Sequence, residues 1–244
     1  MPLKWLIILS VTVFTLLPGQ ANAMHIADGI LPASWAALWF VVALPFVAWG
    51  LRDLRLKSGQ APYIKPLVGL VGAAVFIVSC MPIPIPSAGT CSHPCGTGLA
   101  AILIGPTLTV VVASVALVLQ ALFLAHGGLT TLGADVVSMG VAGAFVGYGV
   151  FHLSLRMGVP WLAAAFLAGM LSDWATYSVT SFQLATALHD RESFRTLFSA
   201  ILLAFVPTQL PLGLFEGFLS AGAYRFIKIR RPELLKILVK GGTA

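Results

Sequence analysis

Charge is what this sequence has least of. Charged side chains make up 9% of its 244 residues, against 59% hydrophobic ones. That balance excludes an ordinary soluble domain. The Gly-x-x-x-x-Gly-Lys-Ser/Thr phosphate loop is missing, so ATP-driven work would need a second subunit to hydrolyse the nucleotide. A His-Glu-x-x-His pair is missing too, which removes the usual signature of a zinc hydrolase. No separate soluble domain, low-complexity tract or two-half repeat can be read, and the last weakens the case for a secondary carrier built on repeats.

What the chain has instead is long apolar stretches, at about 35–51, 65–82, 96–104, 106–125, 134–155, 160–187 and 196–228. Most reach the length of a membrane helix, and the alternation of a membrane β-barrel is absent. The expected fold is an all-α, polytopic bundle of about seven transmembrane helices. Stretch 96–104 is too short to cross alone and is expected to pair with 106–125 through Gly105-Pro106. If each stretch reverses direction from an external Met24, then Arg52, Arg55, Lys57, Lys65 and Arg156 fall in the cytoplasm. Arg225, Lys228, Arg230, Arg231, Lys236 and Lys240 join them, while Arg191 and Arg195 stay outside beside Asp190 and Glu192. This is a positive-inside asymmetry. The net charge of +6 is therefore read as topology, as contact with anionic lipid or as docking of a cytoplasmic partner, and not as a nucleic-acid footprint.

The N-terminus carries the sharpest signal. Lys4, the short apolar run Trp5 to Leu17, the break at Pro18-Gly19 and the small-x-small Ala21-Asn22-Ala23 have the form of a secretory signal. Cleavage gives a signal peptide of 1–23, a membrane domain of 24–230 and a basic cytoplasmic tail of 231–244. It makes Met24 the first residue and puts His25 directly behind a free α-amine. Amine, next backbone nitrogen and next imidazole can then close fused chelate rings on one metal ion. Nitrogen-only, near-planar ligation suits Ni(II), Cu(II) or Co(II) better than Mg(II) or Ca(II). Translation starting at Met24 gives the same chemistry; an uncleaved anchor helix over 5–17 does not.

The same outer side holds the segment Ser87-Ala88-Gly89-Thr90-Cys91-Ser92-His93-Pro94-Cys95-Gly96-Thr97-Gly98. Its small, bend-prone residues permit close backbone approach. With His93, the Met24 amine, the His25 amide and the His25 imidazole supply four nitrogens.

These motifs resemble a known family. Met24-His25-Ile26-Ala27-Asp28-Gly29 is similar to the processed N-terminus of the CbiM/NikM proteins, the cobalt and nickel substrate-binding subunits of energy-coupling-factor (ECF) transporters. Cys91-Ser92-His93-Pro94 with Gly96-Thr97-Gly98, and Ala125-His126-Gly127-Gly128-Leu129-Thr130-Thr131-Leu132-Gly133-Ala134, resemble its second and third motifs. Asp173, Thr176-Tyr177, Val179-Thr180-Ser181, Gln183-Leu184 and Glu216-Gly217 also fit, so the resemblance runs from Met24 to about Phe226. It implies a seven-helix, non-catalytic subunit in the bacterial inner membrane, with the mature N-terminus outside and the C-terminus cytoplasmic. The implied metal ligands are Met24, His25 and His93, with Co(II) or Ni(II) as transported substrate and no catalytic cofactor. The implied partners are a membrane coupling (T) subunit, ATPase (A) subunits and a small accessory membrane subunit. The implied role is ATP-driven uptake of the ion; the sequence does not choose between the two metals, and the reading leans slightly to cobalt, for cobalamin biosynthesis, with a nickel-specific subunit as the alternative.

Two positions depart from the family pattern: Cys95, where threonine is usual, and Asp135, where asparagine is common. Cys95 could pair with Cys91 in an oxidising compartment, offer a thiolate to the metal, or simply pack. Around the ligands, Ser92, His126, Thr130, Thr131 and Cys95 are the expected supporting residues, the threonines by hydrogen-bonding the imidazoles. Asp173 and Glu216 sit in apolar stretches, where charge is costly, and are read as structural or supporting groups. Gly143 and Gly147 form a close-approach pair, read as internal packing. The rival readings are a metal-dependent hydrolase on His93, His126 and Asp173, and a proton-coupled carrier on Asp173 and Glu216.

Overall fold

The computed structural model describes residues 25–80, 83–85, 90–124, 126–189 and 193–235. The expected signal peptide 1–23, Met24, the side chains of Cys91 and Ser92, and tail residues Lys236 and Lys240 lie outside the described residues.

Helices form where the apolar stretches lie, and the architecture is a helical membrane bundle. In chain order they are α1 (Ala33–Gln60), α2 (Ile64–Ser79), α3 (Thr97–Ile104) and α4 (Pro106–Phe123). A continuous run follows, made of α5 (Leu132–Asp135), a π-helical segment (Val136–Gly143) and α6 (Ala144–Arg156); then come α7 (Trp161–Leu188) and α8 (Phe194–Arg230). Helix α1, helix α4, the run 132–156 and α8 are each long and apolar enough to cross a bilayer. Helix α3 is not, at eight residues. It ends on Gly105, whose positive φ of 86° reverses the chain before Pro106 opens α4. Proline suits a first helical position because it lacks the N–H that would be unpaired there.

The bundle is inverted relative to a soluble protein. Val41, Phe123 and Phe218 are 64%, 74% and 70% exposed, whereas Ser172, Asp173, Gln183 and Glu216 are wholly buried. Apolar surface costs nothing against lipid, but an unpaired polar group there does, so polar side chains turn inward. This explains α7, which is long yet rich in polar residues: its buried face includes Ser172, Asp173, Thr176, Thr180, Ser181 and Gln183.

Helix α3 wedges between α6 and α7. A Cβ on Gly98 would stand 2.8 Å from the Ala168 carbonyl oxygen, and one on Gly147 would stand 2.9 Å from the Gly98 Cα. The Gly143/Gly147 pair is thus consumed by packing inside the chain, as expected. The π-helical segment widens the helix beside this contact, and the Gly143 carbonyl accepts a bond from Ser172 Oγ at 2.8 Å. One element was not anticipated. Strands β1 (Ile83–Ile85) and β2 (Thr90–Ser92) pair antiparallel, with Ile83 opposite Ser92, and lead into the His93 segment.

Candidate metal centre

Residues 25–31 are seated in the bundle by one apolar plug and three polar clamps. Ile26 is fully buried in a cluster with Leu31, Ala36, Trp39, Ala134, Leu184 and Ala187. Its backbone N–H donates to Asp135 Oδ1 at 3.2 Å, and its carbonyl accepts from Thr131 Oγ1. Asp28 Oδ1 accepts from the Thr130 N–H at 2.9 Å and from the Thr130 hydroxyl. Those bonds hold the Asp28 carboxyl below its usual range, so it remains an anion. Thr130 and Thr131 therefore fasten the leading segment; their bonds do not go to the imidazoles as the sequence reading expected. Threonine hydroxyls reach the nearest free acceptors, and here those belong to Asp28 and Ile26.

Three buried histidines meet beside this anchor. The His25 ring centroid lies 4.7 Å from that of His93 and 5.8 Å from that of His126, and His93 and His126 are 6.1 Å apart. Gly127, at φ 86°, lets the third motif close on His25: a Cβ there would stand 3.1 Å from the His25 ring. His152 and His189 lie elsewhere, bonded through Nδ1 to the carbonyls of Tyr148 and Thr186.

The hydrogen bonds decide which ring nitrogens are free. His93 Nδ1 lies 2.9 Å from the Pro94 carbonyl oxygen, which can only accept, so Nδ1 carries the proton and Nε2 keeps its lone pair. Gln120 donates through Nε2 to Ser79 Oγ at 2.7 Å, which leaves its Oε1 to accept from His25 Nε2 at 3.2 Å. His25 Nδ1 is then the unprotonated nitrogen, the one that closes a six-membered ring with its own amide. Asp135 Oδ1 stands 4.0 Å from that nitrogen, so a carboxyl oxygen faces the place where a cation would sit. His126 Nε2 is buried without a hydrogen-bond partner.

All three rings are held neutral. Burial, then His93 and His126, drives the His25 imidazole well below its ordinary value. Burial takes His93 down to about 4, against a small opposing effect of the Pro94 carbonyl. Burial and then His93 bring His126 down to about 3. Neutral imidazole is the form that binds metal, so near pH 7 no proton must first leave these rings.

The His93 backbone is clamped as firmly as its ring. Tyr177 Oη accepts from the His93 N–H at 2.9 Å and donates to the His93 carbonyl at 3.2 Å. Glu216 accepts from the Cys95 N–H at 2.8 Å and the Gly96 N–H at 2.7 Å, one on each oxygen. These N–H groups precede α3 and have no helical partner, so a carboxylate suits them. Glu216 thus holds the backbone of the loop that carries His93. Cys95 carries a free thiol, not a bridge to Cys91, and its sulfur groups with Asp173 and Glu216 rather than with the imidazoles.

Gln120 is the supporting residue that sequence reasoning missed. Its signal was present: a wholly buried amide in an otherwise apolar stretch is there for a partner. Gln120→Leu leaves the His25 Nε2–H unpaired and frees the tautomer. We expect Co(II) affinity to weaken about 10- to 100-fold. Isothermal titration of the purified variant checks this, and wild-type affinity would remove Gln120 from the site.

Residues 25–234 match the family model described as the cobalt uptake substrate-specific transmembrane region. The "Cobalt transport protein CbiM" of Sorangium cellulosum is 60% identical over 212 residues, covering 87% of this chain and 94% of that protein. A protein of the same description from Geobacter sulfurreducens is 59% identical over 220 residues, or 90% of this chain, which spans 64% of that longer relative. A crystal structure of a transition metal transporter superposes with a TM-score of 0.76 at 22% identity, covering 89% of this chain and 99% of that one. That last likeness is one of fold.

Proposed function

The chain belongs to the CbiM family of cobalt-uptake transmembrane proteins, and from that footing we propose that it is the substrate-binding subunit of an ECF-type transporter. It captures Co(II) at the outer face of the bacterial inner membrane and hands it on for ATP-driven uptake. One observation carries this reading. Two imidazoles from segments far apart in sequence meet at 4.7 Å, each with one nitrogen protonated by a fixed partner and the other left bare. That is a prepared nitrogen site, next to the backbone amide of His25. The ligands are the Met24 amine, the His25 amide and imidazole Nδ1, and His93 Nε2. His126 closes the site from the third motif.

The role of Met24 requires that residues 1–23 be removed as a signal peptide, leaving a membrane domain of 24–230 and a tail of 231–244. The mature N-terminus then lies outside and the tail in the cytoplasm, where its basic residues meet anionic lipid and the coupling machinery. Lys228 lies 4.2 Å over the Trp161 ring, which ties the end of α8 to the start of α7 at the expected cytoplasmic end. ATP is hydrolysed by separate ATPase subunits, reached through a membrane coupling subunit and joined by a small accessory membrane subunit. Cobalt is preferred over nickel because the relatives are named for cobalt; delivery to cobalamin biosynthesis follows from that choice.

The test is cellular and biochemical together. Purified protein should retain a single Co(II) tightly at the nitrogen site without hydrolysing ATP. Cells should take up labelled cobalt only when the cytoplasmic ATPase is intact. Uptake that persists without any ATPase and collapses with the proton gradient would establish the carrier reading instead.

A further inference from the structure

A second group of metal-ligating side chains lies deeper in the bundle. Cys95 Sγ and a carboxylate oxygen each of Asp173 and Glu216 lie within 4.8 Å of one another. All three residues are fully buried. The group is continuous with the histidine centre, because Cys95 is two residues beyond His93. On α7, Asp173 stands one helical turn, about 6 Å, before Tyr177, the residue that clamps the His93 backbone. Helix α7 starts at the end that carries Trp161 and Lys228, so Asp173 lies on the side of Tyr177 away from the histidines.

The three groups are unequally satisfied. Glu216 is held by the Cys95 and Gly96 N–H groups, one per oxygen, and each oxygen keeps a further lone pair. Asp173 Oδ1 accepts from Cys95 Sγ at 3.8 Å, its other oxygen is buried without a donor, and the Asp173 and Glu216 carboxyl groups lie within hydrogen-bonding reach of each other. Two carboxyl groups facing each other inside a bundle need either a shared proton or a cation between them. With a shared proton the thiol serves only as a donor to Asp173 Oδ1. A cation would use it.

We propose that Cys95, Asp173 and Glu216 form an inner binding site for a divalent transition-metal ion, one turn below the histidine centre. The donor set is one sulfur and two carboxylates, a mixture that Co(II) and Zn(II) accept. Bonds of about 2.3 Å to sulfur and 2.1 Å to oxygen put tetrahedral ligands about 3.6 Å apart. The Cys95–Asp173 pair is already there at 3.8 Å, and all three ligand atoms lie within 4.8 Å of one another. Glu216 links the two sites mechanically, since the carboxylate that would bind the inner ion also holds the backbone next to His93. Three protein ligands leave a position open, as suits a site that must release its ion. The proposal rests on the outer-site reading only for the direction of travel.

The experiment titrates full-length, detergent-purified protein with Co(II) chloride, counts bound metal and records the near-ultraviolet spectrum. The outer site is nitrogen-only, so a thiolate-to-cobalt charge-transfer band reports the inner one. Wild type should bind two Co(II) and show the band. Cys95→Ser, nearly isosteric, should bind one and lose the band; Asp173→Asn should do the same. His93→Ala should keep the band and lose the other ion, and if it instead keeps both ions the outer-site reading fails while this one stands. A single Co(II) in the wild type with no band means that the carboxylates share only a proton, and overturns the proposal. A band that survives Cys95→Ser overturns it as well, by assigning the sulfur to Cys80 or Cys91.

Discussion

His93→Ala should purify as a folded membrane protein that holds no Co(II) at the nitrogen site. The imidazole contributes Nε2, whose lone pair is bare because Nδ1 donates to the Pro94 carbonyl. The remaining imidazole of the cluster, His126, has its ring centroid 6.1 Å from that of His93, so it would have to shift to take the place of the lost ligand. Loss of one of four ligands opens the ion to water and exceeds the roughly 100-fold that a supporting residue is worth. The fold should survive, since the clamps on this loop do not use the ring. Tyr177 bonds the His93 backbone, and Glu216 bonds the N–H groups of Cys95 and Gly96 in the same loop. Metal content by atomic spectroscopy, read beside the thermal melting of the metal-free variant, decides between ligand loss and collapse. Wild-type occupancy of the nitrogen site in a variant with normal melting would remove His93 from the ligand set.

The helices were legible because the lipid environment makes apolar length nearly sufficient. Each apolar stretch became a helix, and Gly105-Pro106 divided α3 from α4 as the short stretch required. The π-helical segment at Val136–Gly143 was not legible, because nothing local distinguishes it from α-helix; Ser172 and Thr176, which lie against its Gly143, are about 30 positions away in sequence. The hairpin at 83–92 was hidden for another reason: two three-residue strands carry too little periodicity to read. His25, His93 and His126 were singled out by residue type and spacing, and the structure brings all three together. Their supports were harder to see. Gln120 lies 95 positions from His25, and Asp135 lies 109 from Ile26. Pairings over that distance depend on how the helices pack, which a single sequence does not encode locally. The threonines show the same limit, since their type was informative but their partners were not.

Blocking the cleavage after Ala23 should abolish metal capture with every histidine still in place. Ala23→Arg violates the small-x-small rule, so the precursor persists and Met24 stays in a peptide bond. An amide nitrogen inside a continuous chain is a poor ligand beside a free amine, and the first chelate ring cannot close. One residue inserted between Met24 and His25 should cause similar loss, by enlarging the ring and moving the amine away from an imidazole that Gln120 holds in place. The pH profile gives an independent test with a definite sign. The ring values of about 4 for His93 and about 3 for His126, with His25 also lowered, mean that none of these imidazoles competes for protons above about pH 6. The α-amine does, with an ordinary value near 7.7–8.0. In mature protein, log affinity plotted against pH should therefore steepen as pH falls through about 8, and show no break near 6.5, where free imidazole titrates. N-terminal sequencing comes first. If mature protein reads Met-Pro-Leu-Lys and still binds Co(II) with wild-type affinity, the amine is not a ligand; a break near 6.5 with none near 8 would exclude the amine on chemical grounds alone.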